Sequence, residues 1–307
     1  MSSSHLPFDI SHPIEKDILE PFLYLWRQRG KEFRSKLMNA FDAWIHVPPE
    51  KLAVIRDAIE MLHNSSLLID DIQDNSDLRR GIPVAHKIYG VPLTINCANH
   101  VYFLALQKLL QLNCAEIVKV FTEELLLLHR GQGMELYWRD SCICPSEEEY
   151  LEMIGNKTGG LLRLAVKMME IASGCKSDYV PLVDILGLHF QIRDDYINLH
   201  SKTYTENKGF AEDLTEGKFS FVLIHGIKHN KNESGQQIQN ILRQRTKDVS
   251  VKQYAIKLLE DNGSFEYTRN YLFDIEKKAL DEIARLGGNP ALEGIIGFLR
   301  TEYSVPN

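Results

Sequence analysis

Two clusters of aspartates, far apart in the chain, are the residues best suited to chemistry. The first lies in LLIDDIQDNSDLRRG, where Asp70 and Asp74 are four residues apart and Asp71 follows Asp70. On a helix, side chains four residues apart share a face and lie about 6 Å apart along the axis. Carboxylates this close repel one another unless a hard cation such as Mg²⁺ binds them. The cluster alone fits a metal site and a solvated acidic helix end equally well.

A second cluster repeats the same offsets in the run FQIRDDYINLH. Asp194 and Asp195 are adjacent, Asn198 stands where the first cluster has its third carboxylate, and Gln191 precedes them by about one turn. An amide oxygen is a neutral donor that binds the same hard cations. One short acidic cluster arises easily by chance, but two with matching offsets at the ends of two apolar stripes do not. The repetition therefore favours a divalent-cation site.

Basic residues follow the first cluster directly. The apolar run 67–69 leads into Asp70, and Arg79 and Arg80 come soon after Asp74. Guanidinium groups bind phosphate oxygens in a bidentate manner, and magnesium commonly bridges carboxylates to phosphates. Carboxylates and guanidinium groups in one short stretch therefore indicate a ligand that carries phosphate groups.

The elements that must position these clusters are helical. Apolar residues recur every three or four positions along 52–69, and the same spacing recurs in 118–128 and 182–199. Such spacing is typical of amphipathic helices, whereas strand-like alternation is scarce and no glycine-rich phosphate loop follows a strand. The sequence therefore predicts an all-α protein of roughly ten or more helices.

Composition and charge exclude several classes of protein. The chain is 44% hydrophobic and 25% charged, its net charge is −7, and no basic stripe indicates a nucleic-acid partner. No apolar run is long enough to span a bilayer, and the N-terminal MSSSHLPFDISH lacks the basic and apolar segments of a signal peptide. Five cysteines at scattered positions indicate reduced thiols. These features predict a cytoplasmic protein without stable membrane insertion.

Motifs spread over nearly the whole chain resemble those of the trans-isoprenyl diphosphate synthases. They include MLHNSSLLIDD, LRRGIPVAH, HRGQGMELYWRD, NKTGGL, FQIRDDY, EDLTEGKFSF and ILRQRT. Within that family, the chain is similar to the animal enzymes whose product has twenty carbons. The resemblance implies one polyprenyl synthetase domain over residues 1–307, with a flexible N-terminus over about residues 1–12. It also implies the isoprenoid synthase fold, a single large helical bundle around a deep central cavity.

The resemblance implies a prenyltransferase that joins isopentenyl diphosphate to dimethylallyl, geranyl or farnesyl diphosphate. Magnesium and cationic side chains would stabilise the charge that develops on the leaving diphosphate. Isopentenyl diphosphate would then attack the allylic cation. The sequence shows no dedicated general base, and the resemblance implies that the departing diphosphate takes up the proton. Water must be kept from such a cation, and segment 202–220 is the candidate lid. The family also implies a homodimer or a larger homo-oligomer.

The resemblance assigns roles to residues that match the family's motifs. Asp70, Asp74 and Asp194 are implied to bind magnesium, with about three ions per active site. The residues implied to carry catalysis are Asp70, Asp71, Asp74, Asp194, Asp195, Lys208 and Lys218. Those implied to contact the allylic diphosphate are Arg79, Lys157, Thr158, Gln191, Lys208 and Lys218. Those implied to hold the diphosphate of isopentenyl diphosphate are Lys31, Arg34, His63 and Arg80.

Several of these residues have a simpler interpretation when each is taken alone. Lys31 and Arg34 could form a solvated helix face, and His63 could be a hydrogen-bonded helix histidine. Lys157 and Thr158 could mark a helix bend before two glycines. Only the complete set of motifs favours a binding role for all of them.

Small residues before the first cluster indicate a long product. Ser65 and Ser66 lie about one turn before Asp70, where a bulky aromatic side chain would stop the growing tail early. By resemblance, Tyr102, Phe103 and His129 are candidates for a deeper floor of the pocket, with ordinary core packing as the alternative. His100 stands where close relatives are expected to carry an aromatic residue. We therefore expect geranylgeranyl diphosphate as the product.

Three other functions remain open at this stage. A farnesyl or geranyl diphosphate synthase would share the chemistry but carry bulkier residues than Ser65 and Ser66. A terpene synthase of the same fold would have lost the residues for isopentenyl diphosphate. A non-catalytic subunit would have lost aspartates or the lysines of the candidate lid. None of these losses is present in the sequence.

Overall fold

The computed structural model describes residues 6–8, 10, 12–28, 30, 33–200, 210–229 and 233–304. Lys31 and Lys208 lie outside these residues. So do residues 1–5, 9 and 11 of the predicted N-terminal segment and residues 202–209 of the candidate lid. The described chain is helical apart from one short pair of strands, so the predicted all-α fold is confirmed. In this described part, no helix is long and apolar enough to cross a membrane.

The helices and strands follow one another with short connections. The first half contains α1 (Glu15–Ile18), α2 (Glu20–Trp26), α3 (Phe33–Ile45), α4 (Pro49–Gln73), β1 (Leu78–Arg79), β2 (Ile82–Pro83), α5 (Ala85–Tyr89), α6 (Val91–Leu110), α7 (Ala115–Ser141) and α8 (Glu147–Lys157). The second contains α9 (Gly159–Ser173), α10 (Val180–His200), α11 (Glu212–Glu216), α12 (Phe221–Lys228), α13 (Glu233–Gln244), α14 (Val249–Asp261), α15 (Ser264–Arg285) and α16 (Pro290–Arg300).

The chain forms two compact units, which we call the first and the second unit. The first comprises Met1–Glu123 and Leu164–Asp178, and the second comprises Glu124–Arg163 and Tyr179–Asn307. The first aspartate cluster lies in the first unit and the second cluster in the second unit. Each unit is described by the contacts within it.

In the first unit, α4 packs along α6 and presents its predicted apolar stripe to the core. Ile55, Ile59 and Leu62 are fully buried there. A proline opens the helix, where its fixed φ fits and its missing N–H costs no hydrogen bond. The helix ends at Gln73, and Asn75 then adopts a left-handed conformation with φ of 51°. Asp70, Asp71 and Asp74 are thereby held at the end of a well-packed helix.

The two strands form a hairpin directly after this helix. Leu78 pairs with Pro83 and Arg79 with Ile82. The two residues of the connecting turn, Arg80 and Gly81, have φ of 55° and 79°. Two consecutive positive φ values are typical of a type I′ hairpin turn, which matches the twist of the strands. The turn reverses the chain next to the aspartates of α4.

In the second unit, α10 runs through the main hydrophobic core. Leu182, Ile192 and Tyr196 of its predicted stripe are buried, and the helix packs against α15 and α8. Gly187 of α10 faces Gly159 at the start of α9, and a Cβ built on Gly187 would lie 3.0 Å from the Cα of Gly159. Side chains larger than hydrogen would separate the two backbones at this crossing.

Candidate active site

Arg79 of the hairpin joins the aspartates at the end of α4. Its Nε donates to Oδ1 of Asp71 at 2.7 Å, and its Nη2 donates to the same oxygen at 2.5 Å and to Oδ2 of Asp70 at 3.2 Å. The side chain of Asp71 is 1% exposed, whereas that of Asp70 is 22% exposed. Asp71 therefore anchors the guanidinium, and Asp70 is the more accessible carboxylate. Asp74, at the C-terminal cap of the helix, is buried.

The donor atoms of this cluster suit magnesium. Among the described residues, no three acidic, histidine or cysteine side chains converge as the ligands of a metal would. Magnesium, however, commonly binds proteins through one or two carboxylates while it keeps several waters and takes oxygens from a phosphate. Asp70 and Asp74, one helical turn apart, offer such a pair of hard oxygen ligands. The carboxylate oxygens of Asp70 and Asp74 are therefore chemically suited to bind Mg²⁺.

A cluster of Arg34, His63 and Arg80, which we call the cationic cluster, lies beside these aspartates in the first unit. Nη1 of Arg34 is 2.9 Å from Nε2 of His63. Burial holds the pKa of His63 well below its usual value, and the charges of Arg34, Arg80 and Arg79 lower it further. The ring is therefore neutral near pH 7 and accepts a hydrogen bond from Arg34.

The charge of this cluster is only partly compensated. Burial, and then the nearby charge of Arg80, lowers the pKa of Arg34 to about 10. The Nε of Arg34 is buried and has no hydrogen-bond partner within the described residues. A buried guanidinium with an unused donor favours an anionic ligand. The structure thus brings Arg34 and His63 into direct contact.

Arg80 completes the cluster from the hairpin turn. Its Nη1 donates to the carbonyl oxygen of Gln28, and the carbonyl oxygen of Leu25 lies 3.5 Å from the same nitrogen. A Cβ on Gly30 would lie 3.0 Å from Nη2 of Arg80, so the glycine leaves room for the guanidinium. Burial and the charge of Arg79 lower the pKa of Arg80.

The second aspartate cluster has a different environment. Asp195 accepts hydrogen bonds from the hydroxyl of Tyr150, from the backbone N–H of Phe221 at 2.8 Å and from Nε2 of Gln191 at 2.9 Å. Burial nevertheless raises the pKa of Asp195 to about 6. Protein donors surround this carboxylate, which fixes α10 to its neighbours. The adjacent Asp194 is less buried and is the more accessible of the two.

Polar residues of α8 and α10 are linked next to this carboxylate. Oγ1 of Thr158 donates to Oε1 of Gln191 at 2.6 Å, and Gln191 in turn donates to Asp195. Nζ of Lys157 lies 2.5 Å from Oε2 of Glu135. Thr158 and Gln191 thus meet near Asp195, while Lys157 is held in an ion pair by Glu135.

Asn198 and the segment after residue 209 extend the same cluster. Oδ1 of Asn198 accepts the backbone N–H of Asp213 at 3.2 Å, so this expected metal-binding oxygen has one protein partner. Lys218 forms an ion pair with Glu216 at 2.7 Å. Burial raises the pKa of Asp213 well above its usual value, and the charges of Asp195 and Glu216 raise it further. Sequence reasoning did not single out Asp213, although it lies in the motif EDLTEGK.

The two serines predicted to affect product length differ in their contacts. Ser65 is fully buried, and its Oγ has no hydrogen-bond partner among the residues that the structure describes. Oγ of Ser66 donates to the carbonyl oxygen of His63 at 2.8 Å. Burial, and then the charge of the nearby Asp70, raises the pKa of Tyr102 of α6 to about 12. Tyr102 therefore lies near the first cluster. These three side chains thus belong to the surroundings of Asp70.

The other predicted floor residues are on the surface. Phe103 is 71% exposed, and His129 is exposed with its Nδ1 2.8 Å from the carbonyl oxygen of Leu125. Their exposure argues against an enclosing role within this chain. Nε2 of His100 lies 3.8 Å from a carboxylate oxygen of Glu15.

The chain is similar in sequence to known proteins over most of its length. The model of the polyprenyl synthetase family matches residues 15–259. A geranylgeranyl pyrophosphate synthase from Mucor circinelloides f. lusitanicus is 59% identical over 94% of this chain and 94% of its own length. One from Hypoxylon pulicicidum is 57% identical over 88% of this chain and 70% of its length. A protein named terpene synthase from Matsumurasca onukii is 54% identical over 93% of this chain and 94% of its length.

Proposed function

Because the chain belongs to the polyprenyl synthetase family, we propose that it condenses isopentenyl diphosphate with allylic diphosphates and releases geranylgeranyl diphosphate. The observation that carries this proposal is the charge arrangement in the first unit. Arg79 joins the accessible Asp70 there, and Arg34, His63 and Arg80 form a cationic cluster beside it. Carboxylates suit a magnesium-bound diphosphate, and guanidinium groups suit a second diphosphate.

Magnesium, when bound, would supply a Lewis acid that offsets the negative charge on the leaving oxygens. We assign its binding to Asp70, Asp74 and Asp194, with about three ions per active site in the substrate complex. Asp71 and Asp195 would support the site from buried positions, because each is already held by donors from the protein.

The chain's own cations would orient the two diphosphates. Arg79, Lys157, Thr158, Gln191, Lys208 and Lys218 are assigned to the allylic diphosphate, and Lys31, Arg34, His63 and Arg80 to isopentenyl diphosphate. His63 is suited to its place because a neutral ring orients Arg34 without adding charge. The departing diphosphate would remove the proton. Segment 202–220 would exclude water as a lid.

The test is a product assay with purified protein. Farnesyl diphosphate and isopentenyl diphosphate are supplied with MgCl₂, and the prenyl diphosphates formed are separated by chromatography. We expect the twenty-carbon product, and dimethylallyl and geranyl diphosphates should also serve as primers. If the protein forms no product longer than fifteen carbons, it would instead be a farnesyl diphosphate synthase.

A terpene synthase is the second candidate, because one close relative carries that name. Such an enzyme ionises the allylic diphosphate without isopentenyl diphosphate. The residues Arg34, His63 and Arg80 argue against it, since they would have no substrate to hold. Hydrocarbon or alcohol products in an assay with an allylic diphosphate as the sole substrate would favour the terpene synthase.

The length of the product would depend on residues near Asp70. Ser65 and Ser66 leave space that an aromatic side chain would fill, and Tyr102 lies close to Asp70. The exposure of Phe103 and His129 weakens their assignment to the floor of the pocket. The deep central cavity and the single domain over residues 1–307 remain predictions from the resemblance.

We also propose that the chain assembles into a homodimer or a larger homo-oligomer in the cytoplasm. One face of α6 carries exposed large apolar side chains, namely Val91, Ile95, Phe103 and Leu110. An apolar row of this kind is typical of a surface that meets another protein. All five cysteines are unpaired, which supports a reducing compartment.

A further inference from the structure

The residues around α11 are held in an unusual backbone conformation. This helix spans only Glu212–Glu216, and left-handed residues bound it on both sides. Ala211 before it has φ of 47°, and Gly217 after it has φ of 77°. A left-handed conformation is unfavourable for a residue with a Cβ. Contacts outside the segment must therefore stabilise this conformation, and the second unit contains them on both sides of α11.

A buried lysine holds the start of the segment. Lys252, in the first turn of α14, is 4% exposed. Its Nζ donates to the carbonyl oxygen of Phe210 at 2.5 Å and lies 3.5 Å from a carboxylate oxygen of Glu212. Lysine is rarely buried in proteins unless its charge is paired. Its charge is directed here at the segment itself and not at solvent.

The turn before α14 holds the end of the segment. Oγ1 of Thr215 donates to the carbonyl oxygen of Thr246 at 3.3 Å. A Cβ built on Gly217 would lie 3.1 Å from Nε of Arg245, so the glycine packs directly against this side chain. Nη2 of Arg245 is fixed in turn by Oδ1 of Asp140 at 2.7 Å. One short stretch, 245–252, thus contacts both ends of α11.

The held segment leads directly to residues of the proposed site. The backbone N–H of Asp213 donates to Asn198, and the N–H groups of Gly217 and Lys218 both donate to the carbonyl oxygen of Asp213 at 3.0 Å. The N–H of Phe221, three residues after Lys218, donates to Asp195. Displacement of α11 would therefore move Lys218 relative to the aspartates of α10.

We propose that Lys252, assisted by Arg245, is a positioning residue that fixes α11 and thereby holds Lys218 where it can bind the allylic diphosphate. This inference rests on the proposed function, since Lys218 is assigned to that diphosphate there. Lys252 acts on the substrate only through the segment, because its ammonium is occupied by Phe210 and Glu212.

The test compares Lys252→Met, Lys252→Arg and Lys257→Met. Methionine keeps an unbranched side chain of similar length but removes the charge and the donors, whereas arginine keeps both. Lys257 lies in the same helix and is exposed, so Lys257→Met is the matched control. Lys252→Met should raise the KM for farnesyl diphosphate about tenfold, the size expected from the loss of a charged hydrogen bond. The KM for isopentenyl diphosphate should not change.

The separation of the two KM values distinguishes positioning from damage to the fold. A partly unfolded protein would lose kcat in proportion to its inactive fraction, and both KM values would stay as in the parent. Lys252→Arg should bring the KM for farnesyl diphosphate back to within about threefold of the parent, because arginine keeps the charge. Unchanged KM for farnesyl diphosphate in a folded Lys252→Met would overturn the proposal.

A second variant serves if Lys252→Met does not fold. Arg245→Met changes a side chain that is 45% exposed. It removes the guanidinium, and with it the contact of Nε with Gly217 and the ion pair with Asp140, while the core of the unit remains. It should raise the KM for farnesyl diphosphate about threefold, with the KM for isopentenyl diphosphate unchanged. A parent-like KM in this variant would contradict the proposal.

A binding measurement separates this inference from the proposed function. Titration calorimetry with inorganic diphosphate and MgCl₂ requires no turnover. If the parent protein binds diphosphate but makes no prenyl product, the proposed function fails while the inference is still tested. Lys252→Met should then bind diphosphate about tenfold more weakly than the parent and Lys257→Met. Equal affinity in all three proteins would overturn the inference alone.

Discussion

The two aspartate clusters have matching offsets in the sequence but different chemistry in the structure. In the first unit, a guanidinium from a neighbouring hairpin holds Asp70 and Asp71, and Asp70 stays partly exposed. In the second unit, Asp195 is buried among neutral donors, and burial raises its pKa to about 6. Equal spacing along two helices therefore does not give equal roles. The first cluster keeps an accessible carboxylate, as the proposed magnesium site needs, whereas the buried aspartate of the second holds helices together.

The largest expected effect comes from Asp70→Asn. The substitution keeps the shape of the side chain but removes the charge that would bind magnesium. We expect kcat to fall about 10³-fold, since a metal ion contributes several kcal/mol to the stabilisation of the leaving group. The melting temperature should stay close to that of the parent. Steady-state kinetics and thermal unfolding measure the two quantities, and Asp77→Asn, at an exposed aspartate of the same unit, is the control. Near-parental turnover of Asp70→Asn would remove the contrast between the clusters.

Arg79→Lys tests whether the geometry of the guanidinium matters in the first cluster. A lysine keeps the charge but cannot contact Asp70 and Asp71 as a planar fork does. We expect kcat/KM for farnesyl diphosphate to fall about 30-fold, a loss of about 2 kcal/mol in transition-state binding. The KM for isopentenyl diphosphate should change little. Equal activity of the two proteins would mean that only the charge at this position is needed.

Asp195→Asn should show the opposite pattern to Asp70→Asn. Asparagine replaces one acceptor oxygen with an amide group. Either Tyr150 and the N–H of Phe221, which share Oδ2, or Nε2 of Gln191, which donates to Oδ1, then loses its acceptor in a buried place. We expect the free energy of unfolding to fall by about 1–3 kcal/mol. Urea unfolding followed by circular dichroism measures this change. A variant as stable as the parent would show that Asp195 does not hold α10 to its neighbours.

The smallest effect concerns pH and His63. Burial and three neighbouring cations lower the pKa of His63 in the folded protein, whereas the unfolded chain keeps a value of about 6.5. Below that pH the unfolded state binds a proton that the folded state does not, so stability falls as the pH decreases. The expected slope is at most about 1.4 kcal/mol per pH unit for this group.

His63→Gln should make this acid-side slope shallower. Urea unfolding at several pH values between 6.5 and 5 measures it for both proteins. His46→Gln, at a histidine of the first unit whose ring is not part of the cluster, is the control. Identical slopes in the parent and His63→Gln would mean that His63 is not held neutral in the folded protein.

The sequence was sufficient to predict the helices and the family. The stripes on α4 and α10 are buried as their periodicity indicates, the all-α fold is confirmed, and the match to the polyprenyl synthetase family confirms the predicted membership. These features depend on local spacing and on motifs, which a sequence displays directly. The assignment of individual residues to substrates remains a prediction.

The partners of the site residues could not be read from spacing. The pairing of Arg79 with two aspartates depends on a hairpin whose turn places Arg80 in a left-handed conformation, and an arginine does not signal that conformation. Asp213 was missed because its burial results from packing against α10, which the spacing of residues along the chain does not display. The sequence also did not predict the exposure of Phe103, because apolar residues occupy the outer face of α6 as well as its buried face.

The contacts of Arg79 have a consequence for how two ligands bind. The guanidinium that would receive a diphosphate already occupies an oxygen of Asp70, a proposed magnesium ligand. In the proposed site, a diphosphate that attracts Arg79 would release this oxygen, and a cation that takes the oxygen would release Arg79. Each ligand would therefore lower the free-energy cost of binding the other, and by thermodynamic linkage the two affinities would rise by the same factor. Such a site would bind its two ligands cooperatively and would favour a diphosphate that arrives with its metal over either one alone.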